Sequence, residues 1–384
     1  MYLQLVATSK FAMPFWTPNI IYGTASDDRI RTTDDGDIVY AGDGDDIIMG
    51  SEGGDAIHGG DGNDTVMYNR SDHAVVVNLE AGVGARGVTG GGDAFGDTYT
   101  SIENAVGSRF SDRLYGNDGD NMLAGGAGND QLSGGAGNDF LMGEDGDDYI
   151  WGDADNDILI GGAGADELNG GDGVDLVAYI SSADIIEMLM FQDEKKSKHM
   201  IDGVSVNLTT GRGEGGDAAG DLFRQVEDVS GTFGDDTLIG DSNDNALYGS
   251  VGADVINGMG GDDDLYGDAM AGVDDFFEMF DNVAFEGEND SDTFVFINER
   301  IPGPNNDVSH GNDTIHDFDV DADIIDLSQT EVRNFGDLFN RGDRYMEDDG
   351  FGNTVIYTID GDDGDSITLL GVAMNTLTED NFLF

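Results

Sequence analysis

A nine-residue period runs through much of this chain, and a strict period confines the fold to structures that repeat at the same interval. The run Gly59-Gly60-Asp61-Gly62-Asn63-Asp64-Thr65-Val66-Met67 has the form GGxGxDxUx, with U apolar. The frame persists without slippage back through residues 50–58, 41–49, 32–40 and 23–31. Eight further units fill residues 107–178, four fill 231–266, and an isolated unit, GENDSDTFV, stands at 287–295. Position six carries Asp28, Asp37, Asp46, Asp55 and Asp64 in the first block, then Asp112, Asn121, Asp130, Asp139, Asp148, Asp157, Asp166 and Asp175 in the second. The third block has Asp236, Asn245, Asp254 and Asp263 there, and the isolated unit has Asp292. Position eight is apolar throughout, as in Leu114, Leu123, Leu132, Leu141, Ile150, Leu159, Leu168 and Val177. A single Gly-Asp pair is an ordinary hairpin turn, but hairpins do not demand eight copies in phase.

Each unit divides into a glycine-rich turn and a short x-U-x strand. Glycine at position four can take the positive φ of a tight turn at little steric cost. The apolar U points inward, since side chains alternate across a strand. Two units make one coil with its strands on two opposed sheets, and successive coils stack as parallel strands about 4.8 Å apart. The expected fold class is therefore all-β, a parallel β-roll in several blocks. Stacking brings together turns eighteen residues apart, so pairs such as Asp130 with Asp148, or Asp139 with Asp157, are expected to share one ion.

The charge says which ion. Asp and Glu number 80 against 16 Lys and Arg, a formal charge of −64. Such a charge opposes compaction, and composition alone is compatible with an acidic disordered chain. The 38% hydrophobic content and the regular spacing of the acids argue for folding with an external countercharge. Oxygen-rich, backbone-framed sites suit Ca²⁺, which takes six to eight oxygen ligands, better than Mg²⁺, which holds its water tightly. A block of eight units offers roughly six such sites and a block of five roughly three. Sites touching Asn121 and Asn245, or the turns where Phe110 and Asp155 replace the position-four glycine, are expected to be weak or absent. The core is thin, so ion binding and folding are expected to be one event.

The spacers repeat too. VVVNL (75–79), GGDAFGD (91–97) and IENAVGS (102–108) are answered by VSVNL (204–208), GGDAAGD (215–221) and VEDVSGT (226–232). The expected organisation is an N-terminal cap (1–22), block one (23–67), a spacer (68–106) and block two (107–178). A second spacer with an insert (179–230), block three (231–266) and a terminal region (267–384) complete it. Phe11, Phe15 and Trp16 would serve the cap. The insert holds three of the chain's four lysines beside a segment, 183–192, with helical spacing, expected to pack on the roll, with membrane binding beside those lysines as the alternative.

These units resemble the RTX (repeats-in-toxin) family, whose calcium-binding nonapeptide has this form. GNDTIHDFDVDADIIDLS (311–328), SITLLGV (366–372) and the closing NFLF (381–384) are similar to the segments that follow the last repeats in such proteins, serralysin-like ones among them. The resemblance implies a parallel β-roll with Ca²⁺ held by the position-six aspartates Asp28, Asp37, Asp46, Asp55, Asp64, Asp112, Asp130, Asp139, Asp148, Asp157, Asp166, Asp175, Asp236, Asp254, Asp263 and Asp292. It also implies type I secretion through an uncleaved C-terminal signal, hence an extracellular location. Residues 1–21 do not have the pattern of a cleaved signal peptide.

Other chemistry is not evident. The chain has no cysteine, which removes disulfides and thiolate metal sites. Its charge disfavours nucleic acid, and no apolar run is long enough to span a bilayer. His58, His73, His199, His310 and His316 form no HExxH, and no G-x-S-x-G occurs. A non-catalytic calcium-binding protein is expected, with a surface or matrix role and extracellular polysaccharide as a partner. An accessory module of an extracellular enzyme, epimerase-like or protease-like, and a degenerate toxin are the alternatives.

Overall fold

The computed structural model describes residues 18–86, 92–179, 202–268, 291–297, 310, 312–330, 332–339, 346–358 and 365–384. The greater part of the expected N-terminal cap, the 183–192 segment and the three insert lysines lie outside the described residues. What is described is all-β apart from short 3₁₀ turns, with 18 strands in one sheet and 15 in the other.

The register is that of an eighteen-residue coil. In the larger sheet Leu114 pairs with Leu132, Leu132 with Ile150, and Ile150 with Leu168. In the smaller sheet Leu123 pairs with Leu141, Leu141 with Leu159, and Leu159 with Val177. All eight side chains are fully buried, so each coil places one aliphatic group from each sheet on a common axis. Asn19–Tyr22 stands at the head of the larger sheet, parallel to Asp37–Asp43.

The smaller sheet stays parallel from Arg29–Arg31 to Ser366–Leu369, passing both spacers without a break: Thr65–Met67 pairs with Asn104–Val106, and Leu176–Ala178 with Asp228–Ser230. The larger sheet takes an antiparallel hairpin at each spacer. Val75–Asn78 pairs with Val83–Arg86 in the first, and Ser205–Asn207 with Arg212–Glu214 in the second. At the C-terminus Thr354–Tyr357 and Met346–Asp348 close the smaller sheet in antiparallel fashion. Phe382–Leu383 ends the larger sheet against Ile324–Gln329.

Turns that sit on an earlier turn have a distinctive backbone. In the second block both position two and position four take positive φ, as at Gly126 (107°) with Gly128 (124°), and Gly135 (116°) with Gly137 (100°). Position two was not anticipated from the sequence. The reason is close stacking: a Cβ on Gly162 or Gly171 would collide with the carbonyl oxygen of Glu144 or Asp153, eighteen residues earlier. Where the sequence lacks glycine, the conformation is kept at a cost. Glu144 (76°), Asp153 (80°), Asp155 (74°), Ser250 (85°) and Met259 (74°) all lie in the left-handed region. Asp155, whose turn was expected to hold a weak site or none, adopts the left-handed conformation of the glycine it replaces. Relieving left-handed strain outweighs the entropy that glycine adds to the unfolded chain. Met259→Gly is therefore expected to stabilise the calcium-loaded protein by about 1 kcal/mol, read as a higher denaturation midpoint.

Candidate metal centre

Two hydrogen-bond ladders run along each edge of the roll, in opposite senses. The position-six N–H donates to the position-six carboxylate eighteen residues later, as from Asp130 to Asp148 Oδ1 (2.7 Å) and Asp139 to Asp157 Oδ1 (2.8 Å). The position-five N–H donates to the position-five side chain eighteen residues earlier, as from Asn138 to Asp120 Oδ1 (2.8 Å) and Asn156 to Asn138 Oδ1 (3.0 Å). The two ladders lock the turns in register, and the position-six aspartates other than Asp28 are almost completely buried.

This arrangement uses one carboxylate oxygen and leaves the other. Oδ2 is buried without a hydrogen-bond partner in Asp46, Asp55, Asp64, Asp130, Asp139, Asp148, Asp157, Asp166, Asp175, Asp254, Asp263 and Asp292, as is Oδ1 in Asp37. A buried acceptor left unpaired carries a cost of about 1–3 kcal/mol, more when charged. The space beside it is a cradle: a Cβ on Gly143 or Gly152 would run into Oδ2 of the turn's own Asp148 or Asp157 and also into the carbonyl oxygen of Gly161 or Gly170. Carboxylate and main-chain carbonyl oxygens therefore converge beside the same glycine, as they do again at Gly59, Gly170 and Gly249.

Electrostatics point the same way. Burial pushes Asp139, Asp166 and Asp254 up to about 8, and Asp130, Asp157 and Asp292 up to about 7. The N–H from the neighbouring turn opposes this, while like charge in the column, such as Asp157 beside Asp139, adds to it. Such a row needs protons or a cation. Among the described residues no three acidic or histidine side chains converge as a conventional metal cluster. A site here must combine carboxylates with main-chain carbonyls, the donor set of a hard dication.

The model of the RTX calcium-binding nonapeptide repeat matches residues 17–48, 40–70, 106–141, 142–177, 227–255 and 239–269. The chain carries RTX nonapeptide repeats. RTX nonapeptide repeats bind Ca²⁺ at multiple sites, and the partnerless oxygens and carbonyl-lined cradles fit that ion. Among solved structures, the extracellular lipase LipA from Serratia marcescens is similar at 16% identity with a TM-score of 0.22. That match covers 71% of this chain and 40% of the lipase chain. A search of the curated proteins finds no match.

The position-six residues of these RTX repeats are not equivalent. Asp28, Asp112 and Asp236, each in the first turn of its block, accept N–H donors from their own turns at Thr24, Ser108 and Thr232. Asp112 and Asp236 also take the N–H of Val75 and Val204 on Oδ1. Asn121 and Asn245 keep the ladder, donating N–H to Asp139 and Asp263, and turn their side-chain amides elsewhere. Phe110 lies in the first turn of the second block, where positive φ is not used.

The columns also contain residues that the nonapeptide frame missed. Asp97 and Asp221 accept from the N–H of Asp55 (2.8 Å) and Asp166 (2.9 Å). Glu103 and Glu227 accept from Asp64 and Asp175. Asp313 and Asp323 close the last turns, under Asp263 and Asp292. The repeated GGDAFGD/GGDAAGD and IEN/VED segments were the available signal.

Proposed function

We propose that this is an exported, non-catalytic protein whose β-roll is assembled by calcium outside the cell, with a surface or matrix role in contact with extracellular polysaccharide. The observation that carries the reading is the column of buried carboxylate oxygens lacking hydrogen-bond donors. Such a column opposes folding where divalent ions are scarce and stabilises the roll where they are plentiful. Position-six aspartates with a free oxygen, such as Asp130, Asp139, Asp148, Asp157 and Asp166, would hold the ions together with glycine carbonyls. Bound Ca²⁺ supplies countercharge and cross-links adjacent coils. Extracellular modules of this chemistry bind at about 10⁻⁴ to 10⁻³ M.

Two features support the non-catalytic part. The acids that could titrate near neutrality belong to a structural column, not to a cleft. Among the described residues, the histidine held by both a carboxylate and a hydroxyl is His310, with Asp313 at 2.7 Å and Thr358 at 2.6 Å. All three are buried, out of reach of a substrate.

The test is made on the exported chain. Full-length protein collected from the medium of a type I-competent cell should resist protease in calcium and be digested after chelation. Deletion of residues 346–384, which holds the closing strands and NFLF, should keep the chain inside the cell. Export of the deleted chain, or protease resistance that ignores chelation, would contradict the reading.

A further inference from the structure

The partnerless oxygens stop at the spacers, and they stop on both edges of the roll at once. On one edge the last carboxylate of the first block's column is Asp97, whose Oδ1 takes the N–H of Asp55 as any position-six aspartate would. Its Oδ2 is not orphaned, for it accepts the hydroxyl of Tyr68 at 2.5 Å. Tyr68 is fully buried and is hydrogen-bonded in turn to Tyr99. On the other edge the column ends at Glu103, and the next position-six residue is Asn121, whose Nδ2 donates to the main-chain carbonyl of Glu103 at 2.7 Å.

The second spacer builds the same joint from different stretches of chain. Asp221 Oδ1 takes the N–H of Asp166, and its Oδ2 accepts the hydroxyl of buried Tyr179 at 2.9 Å. Asn245 Nδ2 donates to the carbonyl of Glu227 at 2.7 Å. At both joints a tyrosine O–H satisfies the carboxylate oxygen that is left without a partner elsewhere in the columns, and an asparagine N–H satisfies a main-chain carbonyl. Burial holds the Tyr68 and Tyr179 hydroxyls well above the usual tyrosine range, so they remain proton donors.

From this recurrence we infer that the two spacer joints are built to exclude calcium, with Tyr68 and Asn121, and again Tyr179 and Asn245, replacing the ions and dividing the metal columns into separate groups. The inference rests on the calcium reading of the orphaned oxygens above. It changes the meaning of Asn121 and Asn245. They are not decayed ligands, because an amide satisfies a carbonyl where no cation is present to do so, and a carboxylate there would repel Glu103 or Glu227.

Counting bound ions tests it. Calcium is measured by equilibrium dialysis and atomic emission on the full-length protein and on Asp157→Asn, Asp97→Asn and Asp221→Asn. Asparagine can still accept the ladder N–H at residues 97 and 221 and can donate to the tyrosine oxygen. Asp157→Asn is expected to lower the bound calcium by at least one ion per chain, whereas Asp97→Asn and Asp221→Asn leave it at the wild-type value. A loss in either of the latter as large as that in Asp157→Asn overturns the inference. No loss in Asp157→Asn overturns the underlying calcium reading instead, so the two failures are distinct. Tyr68→Phe provides a second arm if Asp97→Asn does not fold: an unchanged ion count with a lower melting temperature supports the clasp. A lower ion count would make the hydroxyl a calcium ligand and overturn it.

Discussion

Removing calcium is expected to abolish most of the strand signal in far-ultraviolet circular dichroism, and restoring it to about millimolar should bring the signal back. Two properties make the effect large. The formal charge is −64, and the position-six carboxylates are stacked in columns inside the fold rather than dispersed over solvent. Between them the coils offer one buried aliphatic chain per nine-residue unit, set against the ordering of a backbone with 61 glycines. Magnesium at the same concentration should recover little, because a site framed by main-chain carbonyls does not readily strip its tightly held water. Equal strand content in chelator and in calcium would refute the coupling of binding to folding.

Acid should partly replace the metal. Asp139, Asp166 and Asp254 are pushed up to about 8 in the fold, and Asp130, Asp157 and Asp292 to about 7, against an ordinary value of 3.8. Between these values the folded chain binds more protons than the unfolded chain, so stability falls as pH rises. The destabilisation is fully present above the folded values, is relieved as pH falls from about 8, and has no further range below about 4. Protein freed of metal by dialysis should therefore gain strand content between pH 8 and pH 5, while calcium-loaded protein should lose ions over the same range. Circular dichroism and bound-calcium measurements in parallel would show the two trends. A metal-free chain that stays as unfolded at pH 5 as at pH 8 would mean that the carboxylates are not buried in stacked columns.

The periodic part of the architecture was legible in the sequence because every element of the coil has a residue tied to a fixed position. Leu114, Leu132, Ile150 and Leu168 recur every eighteen residues and pair in that order. The position-six aspartates recur with them. What a fixed period cannot find is a contact across a spacer. Asp55 meets Asp97, Asp64 meets Glu103, and Asp175 meets Glu227 at separations of 42, 39 and 52 residues. Those distances depend on the length of hairpins that bulge from one sheet while the other runs on. The similarity of the two spacers marked these residues as a module, but not what they bind. The asparagines were visible as departures from the pattern. Their role needed the position of a carbonyl and, for the aspartates beside them, of a tyrosine hydroxyl. Position two of the turn escaped because its left-handed backbone is imposed by the coil beneath, not by the local sequence.

The direction of the position-six ladder gives the molecule a polarity, like a filament with unlike ends. Every donated N–H is satisfied by a carboxylate that comes later in the chain: Asp112 depends on Asp130, Asp130 on Asp148, and Asp148 on Asp166. Peeling coils away from the C-terminal end strips acceptors from buried amides, at about 1–3 kcal/mol for each one left bare. Peeling from the opposite end uncovers carboxylates and the position-five amides, which are exposed and readily solvated by water. For the buried position-six amides the later coils thus act as a seed on which the earlier ones can lie down, while the reverse order is guided only by the exposed position-five ladder.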